Sequence, residues 1–406
     1  MTELHKQIYT GGMPDEGRTR LVGISRGNPY SPHDSSGIPL HLFDALARRY
    51  PLVQRLDTRL PCWQRALVAL TTVHPSRSRW IERYFKNLLA FKLLSRRSRA
   101  KLTAVTQPYD IVVQFNGLFR TLGAPYAIYL DNTYHESARA WAAWNPLRGH
   151  QLTRWYQLER ALYHNALHLF AMSEFAARSL TSFYDVPPER VSVVGGGVNI
   201  AVHTPPPRPG ATHPPTIIFV GKEFRRKGGD CLLAAFRQVR ERVPGARLQI
   251  VGTDEAAAEP GVEFLGRVGN RDQIARLYAG ASVFCLPSRF DPFPGVLIEA
   301  MAHGLPCVST TVCGIPEIVL DGETGLLVPP DDSDALAGAL VCLLSEPGRA
   351  AQLGAAGRRR TEEHLNWDRV VARMAPILDR LGREQTMPAP YSAGHQALAQ
   401  SPEGLS

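Results

Sequence analysis

Pro287-Ser-Arg-Phe-Asp-Pro-Phe-Pro-Gly-Val-Leu-Ile-Glu-Ala-Met-Ala-His-Gly-Leu-Pro306 is the stretch whose reading decides the fold. It follows the apolar run 281–286, which reads as a buried strand, and it opens an apolar-periodic helix closed by Gly304. A strand, a turn and a helix start thus succeed one another, the repeating unit of an α/β sheet. Pro294 suits the first helical position, because its fixed φ fits there and the N–H it lacks is one that a helix leaves unpaired. The N–H groups of Gly295, Val296 and Leu297 are then expected to point outward, at the positive end of the helix dipole, where an anion is stabilised.

Two carboxylates flank this turn. Asp291 precedes Pro292, which biases it toward extended backbone, so it belongs to the loop, whereas Glu299 falls in the second helical turn. Taken by themselves they are solvated carboxylates at the two ends of a strand-turn-helix. The segment resembles the acidic-x7-Glu motif of the retaining, nucleotide-sugar-dependent family 4 glycosyltransferases, with Asp291 where Glu is usual, one methylene (~1.5 Å) shorter. The resemblance implies that Glu299 binds the ribose hydroxyls of the donor and that Asp291 faces the donor sugar.

At 406 residues the chain exceeds a single typical core, so two domains are expected. The composition, 44% hydrophobic and 20% charged, is globular. No run of ~18 apolar residues occurs and the start lacks a charged-then-apolar pattern, so neither a membrane span nor a signal peptide is expected. Six cysteines form no CxxC pair, and Cys231, Cys285, Cys307 and Cys342 fall within apolar runs, as expected of buried thiols in a reducing compartment.

The net charge of +9 is concentrated in residues 48–101, where fourteen Lys or Arg face only Asp57 and Glu82. Trp63, Trp80, Tyr84, Phe85 and Phe91 are interleaved with these cations, a pattern of basic amphipathic helices. An anionic membrane surface, an anionic acceptor, nucleic acid and plain solvated helix faces all fit that pattern.

Residues 20–24 read as a first strand, followed by a turn-rich loop and a helix over 38–49. Residues 110–114 and 127–130 read as further strands, and polar residues just past such strands are where open α/β sheets bind ligands. Asp131 and His135 stand at that place. In the resembled family a His lines the acceptor side near Asp131, and Ser36-Gly37 resembles the small-residue turn that faces the donor. Glu159, the run 172–177 and the glycines at 195–197 also look like family features.

The run 203–215 holds six prolines and reads as a stiff linker. A strand over 216–221 follows, and its loop carries Lys222, Arg225, Arg226 and Lys227 before Gly228-Gly229. Cations on a glycine-rich strand–helix turn suit a diphosphate, since the backbone can approach and the charge on a leaving group is offset. This loop resembles the family's Gly-Arg…Lys-Gly phosphate loop, with Lys227 matching the Lys and Lys222 standing where Arg is usual. Strands over 248–251, 262–265, 283–286, 307–309 and 326–328 complete the second half, with Arg267 expected near the donor base. Gly314-Ile-Pro-Glu317 resembles the family's Gly-Gly-x-x-Glu turn, with Cys313 replacing one glycine. Asp332 and Asp334 precede an apolar-periodic helix and read as caps, not metal ligands, and no other cluster has metal spacing.

The expected architecture is α/β, the GT-B arrangement of two doubly wound Rossmann-like domains facing across a cleft. An N-terminal segment 1–18 precedes an acceptor-side domain 19–203. A linker 204–215 leads to a nucleotide-sugar domain 216–360, a helix 361–381 crosses back, and a tail 384–406 is disordered. The resemblance implies a retaining, metal-independent transferase that needs no cofactor and takes a nucleoside diphosphate sugar as donor substrate. Lys222, Arg226, Lys227 and the helix start at Gly295 would stabilise the departing diphosphate while a glycan, lipid-linked or small-molecule acceptor attacks from the same face. The implied setting is polysaccharide biosynthesis in the cytoplasm; an anionic membrane surface is one reading of the charge in 48–101, and no nucleic acid partner is expected. A nucleotide-sugar hydrolase or epimerase and a non-catalytic scaffold are the other readings of the same frame.

Overall fold

The apolar runs between glycine- and proline-rich turns form strands buried on both faces, which is why they read as continuous hydrophobic segments and not as alternations. The computed structural model describes residues 17–200, 214–255 and 258–386. Nearly all of the expected N-terminal segment, linker and tail lies outside those residues.

The first half contains β1 (Leu21–Ser25), β2 (Leu52–Asp57), β3 (Ile111–Phe115), β4 (Tyr126–Leu130), β5 (His168–Ala171) and β6 (Val191–Val193), in the order β2-β1-β3-β4-β5-β6. The second contains β7 (Thr216–Val220), β8 (Arg247–Val251), β9 (Val262–Gly266), β10 (Val283–Leu286), β11 (Cys307–Thr310) and β12 (Gly325–Val328), in the order β12-β11-β10-β7-β8-β9. Every strand pairing within both sheets is parallel. The fold is therefore the expected α/β, GT-B-like pair of sheets, with helices between the strands.

Strand order reverses between β1 and β3 in one sheet and between β7 and β10 in the other. Loops that leave such a switch point diverge to opposite faces and open a crevice at the carboxyl ends of the strands. The four loops after β1, β3, β7 and β10 consequently define where a ligand can enter.

Three strands were not expected from the sequence. β2 and β6 are edge strands carrying Gln54, Arg55 and Ser192, and β5 is four residues long and begins with His168. None stands out as an apolar run: polar residues break β2 and β6, and His168 divides the apolar stretch around β5. The helix expected over 361–381 is two helices, Pro347–Glu363 and Trp367–Thr386, and the second alone crosses to the first half. There Tyr50 Oη donates to Asp379 Oδ1 at 2.8 Å and Trp367 Nε1 donates to Val198 O at 3.0 Å. All six cysteines are free, and Cys342 is half-buried where full burial was expected.

Candidate functional site

The loop after β7 runs through Gly221 and Lys222 to Gly228, which caps the helix Gly229–Arg242 with φ of 72°. A Cβ on Gly228 would lie 1.9 Å from Pro287 O, so only glycine lets this loop close against the loop after β10. That closure is clamped by Arg289 N donating to Arg226 O at 2.9 Å and by Arg226 Nη1 donating to Phe290 O at 2.5 Å. It brings Lys227 Nζ to Asp291 Oδ2 at 2.5 Å, with Arg226 Nη1 at 3.7 Å from the same oxygen. Asp291 is buried, with both cations beside its carboxyl group.

Arg226 is built in more firmly than its place in a basic loop suggests. Its guanidinium is buried, bonds Glu223 Oε1 at 3.1 Å, and lies 4.5 Å beneath the Trp144 ring. Trp144 comes from the first half, and its Nε1 donates to Glu223 Oε2 at 2.9 Å, bridging the two halves over the loop. Lys222 is exposed and stands at the cleft rim.

The loop after β10 ends at Pro294, which is the N-cap of the helix Gly295–Ala302 with extended backbone (φ −71°, ψ 101°), one residue outside the expected position. Leu297 departs from expectation: its N–H donates to Pro294 O at 3.1 Å and its side chain is fully buried in the core. Gly295 and Val296 open the helix and line the cleft, and their N–H groups have no intrahelical acceptor. Glu299 lies one turn deeper. Burial pushes its carboxyl up to about 7, against the opposing pulls of Arg271, of a 3.3 Å bond from Tyr278 Oη, and of Lys227.

Arg271, not singled out in the sequence, begins the helix Arg271–Gly280 and donates to Asn199 O and Pro32 O of the first half. It thereby fixes the loop Asp34–Gly37, in which Ser35, Ser36 and Gly37 all have positive φ (49°, 57° and 79°). Ser36 lines the cleft; Gly37 is buried behind it, facing Arg271.

The facing wall starts at Asp131, just beyond β4. Burial pushes its carboxyl up to about 6, and the nearby charge of Asp291 adds to that. Glu159, from the helix Gly149–Asn165, is buried in the same wall. Burial pushes it up to about 7, although it accepts bonds from Tyr184 Oη and, at 3.3 Å, from Tyr163 Oη. Lys86 completes this wall, bonding Glu82 at 2.9 Å and Trp144 O at 2.5 Å. The cleft encloses about 550 Å³.

Two expected residues fall elsewhere. The His135 ring stacks on Phe183 at 3.5 Å between centroids and does not line the cleft, because it points to the far side of the short helix Tyr134–Ala140. Arg267 is exposed and paired with Asp254 at 2.6 Å; the next residue, Val268, lines the cleft instead. Asp332 accepts from Ala335 N at 2.9 Å, so it caps a helix as expected. Glu317, across from the site, accepts from Glu174 N at 2.8 Å and thereby caps a helix of the other half.

With cations and a helix start on one wall and buried carboxyls on both, the cleft can hold a charged phosphate group at one end and hydroxyl-rich groups beside it. Known proteins match accordingly. Residues 35–202 match the family described as Glycosyltransferase Family 4, and residues 214–346 match Glycosyl transferases group 1. The chain is 31% identical over 290 residues to alpha-maltose-1-phosphate synthase of Mycolicibacterium smegmatis, covering 63% of this chain and 73% of that protein. It is 32% identical over 197 residues to the GDP-mannose-dependent alpha-(1-6)-phosphatidylinositol monomannoside mannosyltransferase of the same organism, covering 43% of this chain and 50% of that protein. Sucrose-phosphate synthase from Thermosynechococcus elongatus shares the fold with a TM-score of 0.68 at 21% identity, over 90% of this chain and 100% of that one.

Proposed function

The chain belongs to the family 4, group 1 glycosyltransferases, and from that membership we propose that it transfers a sugar from a nucleoside diphosphate sugar with retention of anomeric configuration and without a metal. The observation that carries this reading is the meeting of Lys227, Asp291 and the helix start at Gly295 at one switch point. A diphosphate seated there is met by an ammonium and by two backbone N–H groups at the positive end of a dipole. These are charges that strengthen against a leaving group as its bond breaks. Lys222 at the rim adds a further cation, so the positive charge needed is supplied by side chains.

Glu299, one turn deeper, is in position to accept from the ribose hydroxyls. In this reading the sugar would lie against Asp291, between the diphosphate and the facing wall. The acceptor, a glycan, a lipid-linked sugar or a small molecule, would enter along Asp131, Lys86 and Trp144. Arg226 holds Asp291 and the loop in this scheme, and it also lines the cleft beside Lys227. Six free thiols suit the reducing cytoplasm in which we place the protein.

The test is titration calorimetry with GDP, UDP and ADP, followed by mass spectrometry of products from a panel of nucleotide sugars with lipid-linked and soluble acceptors. GDP-mannose and a phosphatidylinositol mannoside head the panel, given the second relative's name. A new glycosidic product with the donor's anomeric configuration is expected. Free sugar formed equally with and without acceptor would replace this reading with hydrolysis.

A further inference from the structure

Among the described residues, the large apolar side chains that stand more than a third exposed all fall between Tyr30 and Phe85. Trp63, Leu67 and Leu70 occupy positions i, i+4 and i+7 of the helix Cys62–Thr71 and so share one face, and Val68 is the only residue of that helix that is buried. Trp63 is 67% exposed and Leu70 is 73% exposed. Trp80 and Ile81 are exposed on the next helix, Arg77–Phe85, and Trp80 Nε1 donates to Ala69 O at 3.0 Å, tying the two helices into a hairpin with exposed Val73 in its turn. A stripe of this size is rarely left to water on a monomer.

The surrounding charge indicates what covers it. Between residues 58 and 103 the sequence has eleven Lys or Arg and one carboxylate, Glu82, which is paired with Lys86 at 2.9 Å. Arg65, Arg77, Arg79 and Arg83 are exposed on the hairpin. A second copy of the chain would bring arginine against arginine with no free carboxylate to meet it, which disfavours a two-fold contact. An anionic bilayer satisfies both features, because indole rings settle at headgroup depth, leucines enter the acyl boundary and arginines meet lipid phosphates.

The hairpin also adjoins the cleft. Lys86, the residue after its second helix, lines the cleft and bonds Trp144 O, and Arg26, just past β1, lies 4.1 Å over the Phe85 ring. We propose that the hairpin 62–85 docks the chain on an anionic membrane surface with the cleft opening beside the bilayer, so that a lipid-linked acceptor reaches the site without leaving the membrane. The docking stands on the hairpin alone; its consequence for the acceptor rests on the proposed sugar transfer.

The full chain is mixed with vesicles of phosphatidylglycerol and phosphatidylcholine in equal parts, and with phosphatidylcholine alone. Sedimentation with the first and not the second, released by salt, is expected. The double substitution Trp63→Ser, Leu70→Ser should weaken vesicle binding at least about tenfold, and each of Arg77→Gln and Arg79→Gln about fivefold. Thermal unfolding and GDP or UDP titration should match the unsubstituted chain, since none of these residues lines the cleft. Absent or equal sedimentation with both vesicles, or undiminished binding by the Trp63→Ser, Leu70→Ser chain, overturns the proposal. So does a concentration-dependent dimer in light scattering that this substitution abolishes, which would make the stripe a contact between copies. Vesicle binding without any nucleotide binding would leave the docking intact and defeat the proposed function instead.

Discussion

Lys227 Nζ donates to Asp291 Oδ2 at 2.5 Å, joining two loops 64 residues apart that leave the neighbouring strands β7 and β10. The ammonium that the proposed reaction needs for a diphosphate is thus already engaged by the chain's own carboxylate. Donor binding becomes an exchange of partners, in which Lys227 turns to phosphate and Asp291, still beside Arg226, is left facing the sugar.

Asp291→Asn should therefore separate binding from chemistry. Without the competing carboxylate Lys227 is free for the diphosphate, so donor affinity should stay the same or rise a few-fold. The loss of a negative charge where positive charge develops should lower kcat about 100-fold. Asp291→Glu should retain much of the activity. Normal turnover by a folded Asp291→Asn chain in a steady-state assay would remove Asp291 from the mechanism.

Lys227→Ala should cost about 1.5–3 kcal/mol of donor binding, read by calorimetry as a loss of roughly 10- to 150-fold. It should also destabilise the fold, because Asp291 would remain buried with only Arg226 at 3.7 Å. Adding Asp291→Asn should restore stability in urea unfolding without restoring donor binding. Recovery of both would mean that the lysine serves the fold alone.

Glu299 should make donor affinity depend on pH. Its carboxyl is held at about 7, chiefly by burial, and ribose hydroxyls donate best to the ionised form, so binding should release a proton. Affinity should then rise as pH increases from 6 to 8, by up to about tenfold per unit below the pKa. Glu299→Gln should raise donor KM, leave kcat nearly unchanged and flatten this dependence. An unaltered pH profile in that variant would place the titrating group elsewhere.

Glu159 should make stability fall toward alkaline pH. Its folded-state value of about 7 lies above the ordinary 4.5, so between those values the folded chain keeps a proton that the unfolded chain has lost. The stabilisation is complete below about pH 4.5 and is lost as pH rises through about 7, with an upper limit of ~3 kcal/mol. Urea unfolding at pH 5.5 and 8 should show this slope, and Glu159→Gln should reduce it. A variant with the parent's slope would mean that Glu159 ionises normally.

Gly228→Ala should lower stability by more than about 2 kcal/mol, since the new methyl would meet Pro287 O at 1.9 Å in backbone with φ of 72°. The measurement is the denaturant midpoint. A parent-like midpoint would show that the two loops separate easily, contrary to the clamp at Arg226.

Much of this protein was legible in the sequence because its signals are local. Buried parallel strands announce themselves as short apolar runs, and the turn after each is marked by glycine, proline and charge. Lys227, Asp291 and Glu299 stand on or just past such turns, and their roles were expected from the resemblance of these turns to motifs of a known family. β2 and β5 were missed because Gln54 and Arg55 in one, and His168 in the other, break the apolar run.

What the tertiary structure alone decided is which of these groups meet. Side-chain direction assigned His135 to a stack on Phe183 and Arg267 to a surface pair with Asp254, although both follow strands as site residues should. Conversely, Trp144 lines the cleft and Arg271 holds the loops beside it because both reach across from one half to the other. Chain spacing carries no record of such contacts. The sequence by itself determined the repeating strand-turn-helix units and the loop chemistry; the order in which parallel strands assemble, with its switch between β7 and β10, determined that a lysine and an aspartate 64 residues apart share one proton-donating bond.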